Sequence, residues 1–354
     1  MSVGIDRHRF DGEESLRLLR EAPLGELMRM GHEARSRRHP GGLVTFVVDT
    51  NPNYSNICET RCSFCAFCRR EGDPDAFRLT PQELAERVRP ASELPRLTVL
   101  LQGAHDPGIS LDDWIAYIRA IRGVRPDIHV HPFSPPEIHF MARREQTTVA
   151  QVLSALRHEG IDTIPGGGAE VLCDRVRSAI APSKCSADEW LSVMEQAHEQ
   201  GFRTTATLMF GHVESDRDIV EHLLRLRDLQ DRTGGFASFI PWSFKPGNSP
   251  LSEKVPRGAH PARYVRIIAL ARLVLDNFVH VQSSWFSESV TAGSLGLLAG
   301  ADDFGGILLE ENVLRTTGYQ RSTNLDKVLA IIRRSGFIPA RRDSHYEVLE
   351  TYPS

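Results

Sequence analysis

No stretch of the 354-residue chain stays apolar for the roughly 18 residues that a membrane-crossing helix requires. An excess of positive charge is missing too. Forty-two Lys and Arg face 46 Asp and Glu, for a formal net charge of −4. Proteins that grip a nucleic-acid backbone carry a basic face or domain, so neither nucleic acid nor membrane is expected as a partner. Cysteine is scarce, with six residues in the whole chain, which excludes a disulfide scaffold. The opening "MSVGIDRHRFDGEESLRLL" lacks the apolar core of a secretory signal. The expected compartment is therefore the reducing cytoplasm, where clustered cysteines point to metal binding or catalysis.

What is present is concentrated. "NICETRCSFCAFCRREG" holds Cys58, Cys62, Cys65 and Cys68 in the spacing C-x3-C-x2-C-x2-C. Four thiolates would complete a tetrahedral zinc site. Three would hold an iron–sulfur cluster with one iron left open. Small zinc modules usually pair their ligands across a longer spacing than this single loop offers.

Around the cysteines runs a rhythm. After two N-terminal helices, "DGEESLRLLREA" and "LGELMRMGHEARSRRHP", β-rich runs alternate with amphipathic helices about eight times. "LVTFVVDT", "LTVLLQG", "DIHVHPF", "IDTIPGGG", "RTTATLMFG", "FASFIPW", "FVHVQSSW" and "ADDFGG" read as the strands. The pattern predicts a closed (β/α)8 TIM-type barrel, with an open doubly wound sheet as the alternative. Residues 1–42 are expected as helices packed on the barrel. Residues 43–354 are expected as one catalytic domain with a short C-terminal helical addition. In such a barrel the chemistry sits after the strands, where "DTNPNYSNICETRCSFC", "QGAHD", "HPFSPPEIH", "PGGGAE" and "GHVES" fall.

C-x3-C-x2-C with Phe64 before the last cysteine, directly after the first strand, resembles the radical SAM superfamily. The resemblance implies a 4Fe–4S cluster and S-adenosyl-L-methionine as cofactors. It also implies an electron donor such as flavodoxin or ferredoxin. By that resemblance Cys58, Cys62 and Cys65 are the cluster ligands and Cys68 is not, since a fourth thiolate would block the iron the cofactor chelates. Gln102, Gly103 and Ala104 would receive the methionyl amino group. Glu170, after three glycines, would accept from the ribose hydroxyls, and Arg175 would face the cofactor carboxylate. "TLMFGHVE" stands where the family has G-x-I-x-G-x-x-E. Met209, Gly211 and Glu214 match, while Thr207 replaces the first glycine.

Finer motifs, "HPFSPPEI", "IPGGGAEVLCDRVR", "FIPWSFKPGNSPL" and "ADDFGGILLEENV", resemble the cyclic dehypoxanthine futalosine synthases of menaquinone biosynthesis. Those are related to aminofutalosine synthase and to the synthase of the F420 chromophore. The implied reaction starts with a 5′-deoxyadenosyl radical. It takes hydrogen from C4′ of a nucleoside-like substrate, and the new carbon radical closes a spiro ring. The final step needs a base, for which Glu214, His105, His131, His212 and Asp303 are candidates by position. Trp242 and Trp285 would flank the substrate ring. The chain departs from that family at Cys68, Ala104, Asp302 and Ser284, which leaves open a paralogue acting on a related substrate.

Overall fold

The structure is a computed structural model that describes residues 8–313, 315–318 and 324–353. Helices α1 (Gly12–Glu21) and α2 (Leu24–Arg38) lead into β1 (Leu43–Asn51). Then follow α3 (Pro81–Val88), β2 (Thr98–Leu101), α4 (Leu111–Val124) and β3 (His129–Pro132). Next come α5 (Pro135–Arg144), α6 (Val149–His158), β4 (Thr163–Ile164), α7 (Asp174–Ile180) and α8 (Ala187–Glu199). They are followed by β5 (Arg203–Phe210), α9 (Asp216–Thr233), β6 (Phe236–Ser243), α10 (Pro261–Val274) and β7 (His280–Val281). The last elements are α11 (Val290–Leu298), β8 (Asp303–Glu311), α12 (Leu325–Arg334), β9 (Ile338–Arg342) and β10 (Val348–Thr351).

The helix starts are built by residues the sequence offers. Asp11, Thr80, Ser110 and Ser186 each accept from the backbone N–H three residues on, and the acidic residue there reaches back. Strands β1 to β8 run parallel, as crossover helices require. One sheet holds β8, β1, β2 and β3, and the other holds β4 to β7. A bridge between Gln282 and Asp303 joins β7 to β8. At the other seam, Thr163 of β4 bonds through Oγ1 to His129 and His131 of β3, at 2.7 and 2.8 Å. The result is a curled, TIM-like parallel barrel.

Along the strands burial alternates. Outward residues such as Phe46, Val99, Val130, Leu208 and Phe239 are fully buried under the helices. Inward residues Asp49, Leu100, His131, Thr207, Ile240 and Trp242 are only half-buried. Most TIM barrels fill this space with side chains. Here these inward positions keep part of their surface uncovered.

Two expectations change at the last strand and beyond it. The strand read as "ADDFGG" starts at Asp303 and runs on past its glycines to Glu311. The C-terminal addition is not only helical. After α12, β9 pairs with the lower half of β1, from Leu43↔Ile338 to Phe46↔Arg341, and β10 folds back on it antiparallel. The turn between β9 and β10 then closes the base of the barrel. Arg342 bonds Asp303, Ser344 bonds Thr98, His345 pairs with Asp162, and Tyr346 stacks on His280 at 4.1 Å. The helical reading missed this because the segment is short and its partners lie on distant strands. At the other terminus, Arg35 of α2 reaches the carbonyls of Ala301 and Leu43 and ties the first helices to the same end.

Candidate active site

The cysteine loop leaves the top of β1 and is tied down at many points. Cys58 N–H donates to the Arg69 carbonyl, Arg69 to Asn56, and Asn56 to Phe77. Asp106, almost fully buried, accepts from Ser55 Oγ at 2.6 Å and from both Arg78 nitrogens. Ser63 is tied to α7 and to residue 251 by backbone bonds with Ile180 and Leu251. The loop is thus clamped before any ligand arrives. All four of its thiols are free.

The four thiols differ in environment. Burial pushes the Cys62 thiol up to about 12 and raises Cys65. A hydrogen bond from the Cys68 thiol lowers Cys58 to about 6, and the same bond holds Cys68 protonated. Cys68 Sγ also lies 3.5 Å from the Cys58 carbonyl. It therefore acts as a donor to the loop. Four thiols within one loop are a donor set that fits a cluster of soft thiolate ligands, since a bound metal deprotonates thiols.

Beside this loop the ends of β1, β2 and β3 meet on one buried carboxylate. Glu137 Oε1 accepts from Tyr54 Oη at 2.7 Å and from Gly103 N–H at 3.0 Å, and Oε2 accepts from Ser134 N–H and Oγ. Gly103 is required there, because a Cβ would sit 2.6 Å from the Tyr54 ring. Gln102 lies against Gly167, and its carbonyl accepts from Asn53. Ala104 offers its carbonyl to Tyr54. Glu137 was visible in the sequence only as the end of the capping pattern Ser134-x-x-Glu137.

Glu170 follows the glycine turn in the left-handed region, φ +45°, which turns its carboxylate inward. Its Oε1 accepts from Lys184 Nζ at 2.7 Å. Lys184 is itself largely buried and sits 5.3 Å from the centre of the Phe64 ring. Burial opposes its charge, but the neighbouring Cys62 sulfur and the Glu170 carboxylate raise its ammonium overall. The sequence reading passed over this lysine, which stands alone in "APSKCS" and gains meaning only from its neighbours. Arg175 is placed elsewhere. Its guanidinium pairs with Asp218 at the start of α9, and its side chain is 58% exposed. The inward residue of α7 is Arg177, whose guanidinium holds the carbonyls of Ala169 and Cys185.

After β5, Gly211 adopts φ +86°, and Glu214 accepts from the N–H groups of Gly211 and His212 at 2.7 and 2.8 Å. His212 uses Nε2 on the Met209 carbonyl and Nδ1 on the Val213 N–H. Both side chains thus build the turn rather than wait for a proton. Met209 is buried, and its N–H donates to the Glu170 carbonyl, joining β5 to the glycine turn. Thr207, in place of glycine, bonds the Gly166 carbonyl at 2.6 Å.

The remaining base candidates are also occupied. His105 bonds Thr60 of the cysteine loop at 2.5 Å and stacks on Phe140, and burial lowers it to about 3. His131 is held by Thr163, and burial keeps it neutral. Asp303 lies at the closed end. Its carboxylate is saturated by Thr45, Arg342 and the Gly305 N–H. Asp302 belongs to the same end, gripped by Arg272 and His280, so that departure from the resembled family lies away from the strand ends. Trp285 is stacked on Phe304 in the core, and Trp242 faces the lumen from β6.

The parallel barrel carries its clamped cysteine loop after β1, residues 53–226 match the radical SAM superfamily, and the chain is a radical SAM enzyme. Residues 233–354 match the CofH/MqnC C-terminal region, and the chain belongs to that family. It is 39% identical to 5-amino-6-(D-ribitylamino)uracil–L-tyrosine 4-hydroxyphenyl transferase of Methanopyrus kandleri, over 92% of this chain and 90% of that one. It is 37% identical to cyclic dehypoxanthine futalosine synthase of Streptomyces coelicolor, over 96% and 86%. Among solved structures, methylornithine synthase shares the fold at a TM-score of 0.72 and 18% identity, over 94% of this chain and 95% of that one. The family uses a 4Fe–4S cluster and S-adenosylmethionine. Among the described residues no helix is long and apolar enough to cross a membrane.

Proposed function

We propose that the protein is a radical cyclase that closes dehypoxanthine futalosine to its cyclic form in menaquinone biosynthesis. Cys58, Cys62 and Cys65 hold the cluster, and Cys68 stays protonated beside Cys58. When bound, the cluster and S-adenosylmethionine supply a 5′-deoxyadenosyl radical that takes hydrogen from C4′ of the substrate ribose. The chain's own part is to bind, orient and exclude. The backbone of Gln102, Gly103 and Ala104, fixed by Glu137, receives the cofactor's amino group. Glu170, aimed by Lys184, takes the ribose hydroxyls, and the adenine lies along Met209 and Gly211. The nucleoside-like substrate occupies the half-exposed lumen, with Trp242 against its ring.

The observation that carries this reading is the clamped loop of free thiols opening onto an accessible lumen. A relative named for the cyclisation matches over 96% of this chain, which supports the choice of substrate. The 39% identity to a transferase named for tyrosine and 5-amino-6-(D-ribitylamino)uracil favours a second reading, coupling of those two molecules. Oxygen-free turnover decides between them. Reduced enzyme is given dehypoxanthine futalosine in one vessel and the uracil with tyrosine in the other. The proposal expects 5′-deoxyadenosine and a cyclised product only in the first. Product only in the second vessel replaces the cyclase with the coupling enzyme.

A further inference from the structure

We propose that Asp49 of β1 is the general base of the reaction, taking the proton that must leave the substrate ring after the new carbon–carbon bond forms. This rests on the function proposed above. The odd-numbered residues of β1 face the lumen. Thr45 bonds Asp303 at the closed end, and Asn51 bonds Asn53 near the cysteine loop. Asp49 lies between them, above the floor and below the loop, where a substrate entering from the strand ends would rest.

Its carboxylate has been given space, and one of its two oxygens has no partner. Gly306 of β8 faces it, and a Cβ there would lie 2.4 Å from Asp49 Oδ1. That oxygen is buried and has no hydrogen-bond partner. Buried carboxylate oxygens are nearly always bonded, and an orphan one is costly unless a ligand completes it. The other candidates are spent on turns, on the cysteine loop or on the floor. Asp49 is the exception, half-buried at the lumen wall. The charged groups that face it are Arg342 from β9 and Asp303 from β8. Burial outweighs the arginine and raises Asp49 to about 7, the range in which a carboxylate serves as a base at neutral pH.

The step balances as follows. Addition of the C4′ radical leaves the attacked ring carbon tetrahedral, with its hydrogen still attached and one unpaired electron in the ring. The carbon–hydrogen bond then breaks. Its proton passes to an Asp49 oxygen and its electron pair returns to the ring. The one surplus electron leaves to the oxidised iron–sulfur cluster, and aromaticity is restored.

The test uses the reconstituted enzyme, wild type and Asp49→Asn, with whichever of the two substrate sets the wild type turns over. Asparagine keeps the shape and removes the base. The expected result is a loss of at least 100-fold in coupled product per 5′-deoxyadenosine formed, with substrate-derived hydrogen still appearing in the 5′-deoxyadenosine. The wild-type product rate should rise with pH through about 7, and Asp49→Glu should restore part of both rate and profile. An unchanged product ratio in Asp49→Asn would overturn the proposal. A separate measurement needs no substrate, so failure of the assigned substrate leaves it standing. Infrared difference spectra of wild type against Asp49→Asn should reveal one carboxylic acid titrating near pH 7, and a group already ionised at pH 5 overturns the assignment.

Discussion

Lys184 is the residue on which the electrostatics of the site turn. It holds Glu170 inside the protein and faces the Phe64 ring next to the thiols. Removing one partner of a buried pair strands the other charge, at about 3–5 kcal/mol. Lys184→Met should therefore lower the urea midpoint markedly, and Lys184→Met with Glu170→Gln should recover most of the loss. A double variant no more stable than the single one would mean that the pair is not coupled. Asp49 carries the opposite sign. Its folded value lies above the usual carboxylate value, so its ionisation opposes folding between about pH 4 and pH 7, and the penalty is complete above that. Asp49→Asn should be more stable than wild type at pH 8, by up to about 4 kcal/mol, and the gain should vanish near pH 4. Equal melting temperatures at both pH values would contradict the raised value. The four cysteines were legible in the sequence because their spacing is local. Lys184 and Asp49 were not, since Phe64 beside the first and Gly306 and Arg342 beside the second come from distant parts of the chain.

The elements tell a similar story. Helix starts such as Ser110 and Ser186 could be read directly, because a capping box is contained within four residues. Strand order followed from the alternation of strand and helix. The end of β8 was misplaced because "ADDFGG" finishes in glycines that read as a stop, whereas the strand continues to Glu311 and Gly306 makes room for Asp49 in mid-strand. The turn after β9 was missed because nothing near Arg342 in sequence announces Asp303. This turn makes its own prediction. Asp303→Ala removes the carboxylate that satisfies buried Arg342 and should cost about 3–5 kcal/mol in denaturant unfolding. Cofactor cleavage per folded molecule should stay near wild type, because the pair lies at the closed end. Loss of cleavage in a stably folded Asp303→Ala protein would return that residue to the active site.

At the scale of the whole molecule, the barrel is closed at one end and open at the other. The N-terminal helices and the turn after β9 seal the base, where Arg35, Arg272 and Arg342 meet carbonyls, Asp302 and Asp303. The cysteine loop and the glycine turn meet at the open end, above a lumen lined by half-buried residues. The buried ion pairs and the cysteine loop thus lie at opposite ends, the arrangement in which barrels of this type separate stability from chemistry. The central claim is that a radical formed at the open end takes hydrogen from the ribose C4′ of a nucleoside held in that lumen. Dehypoxanthine futalosine labelled with deuterium at C4′, turned over without oxygen by the reduced enzyme, tests it most directly by mass spectrometry. The account predicts one deuterium in the 5′-deoxyadenosine and none at that carbon of the cyclised product. Unlabelled 5′-deoxyadenosine, or a product that keeps its deuterium, would contradict it.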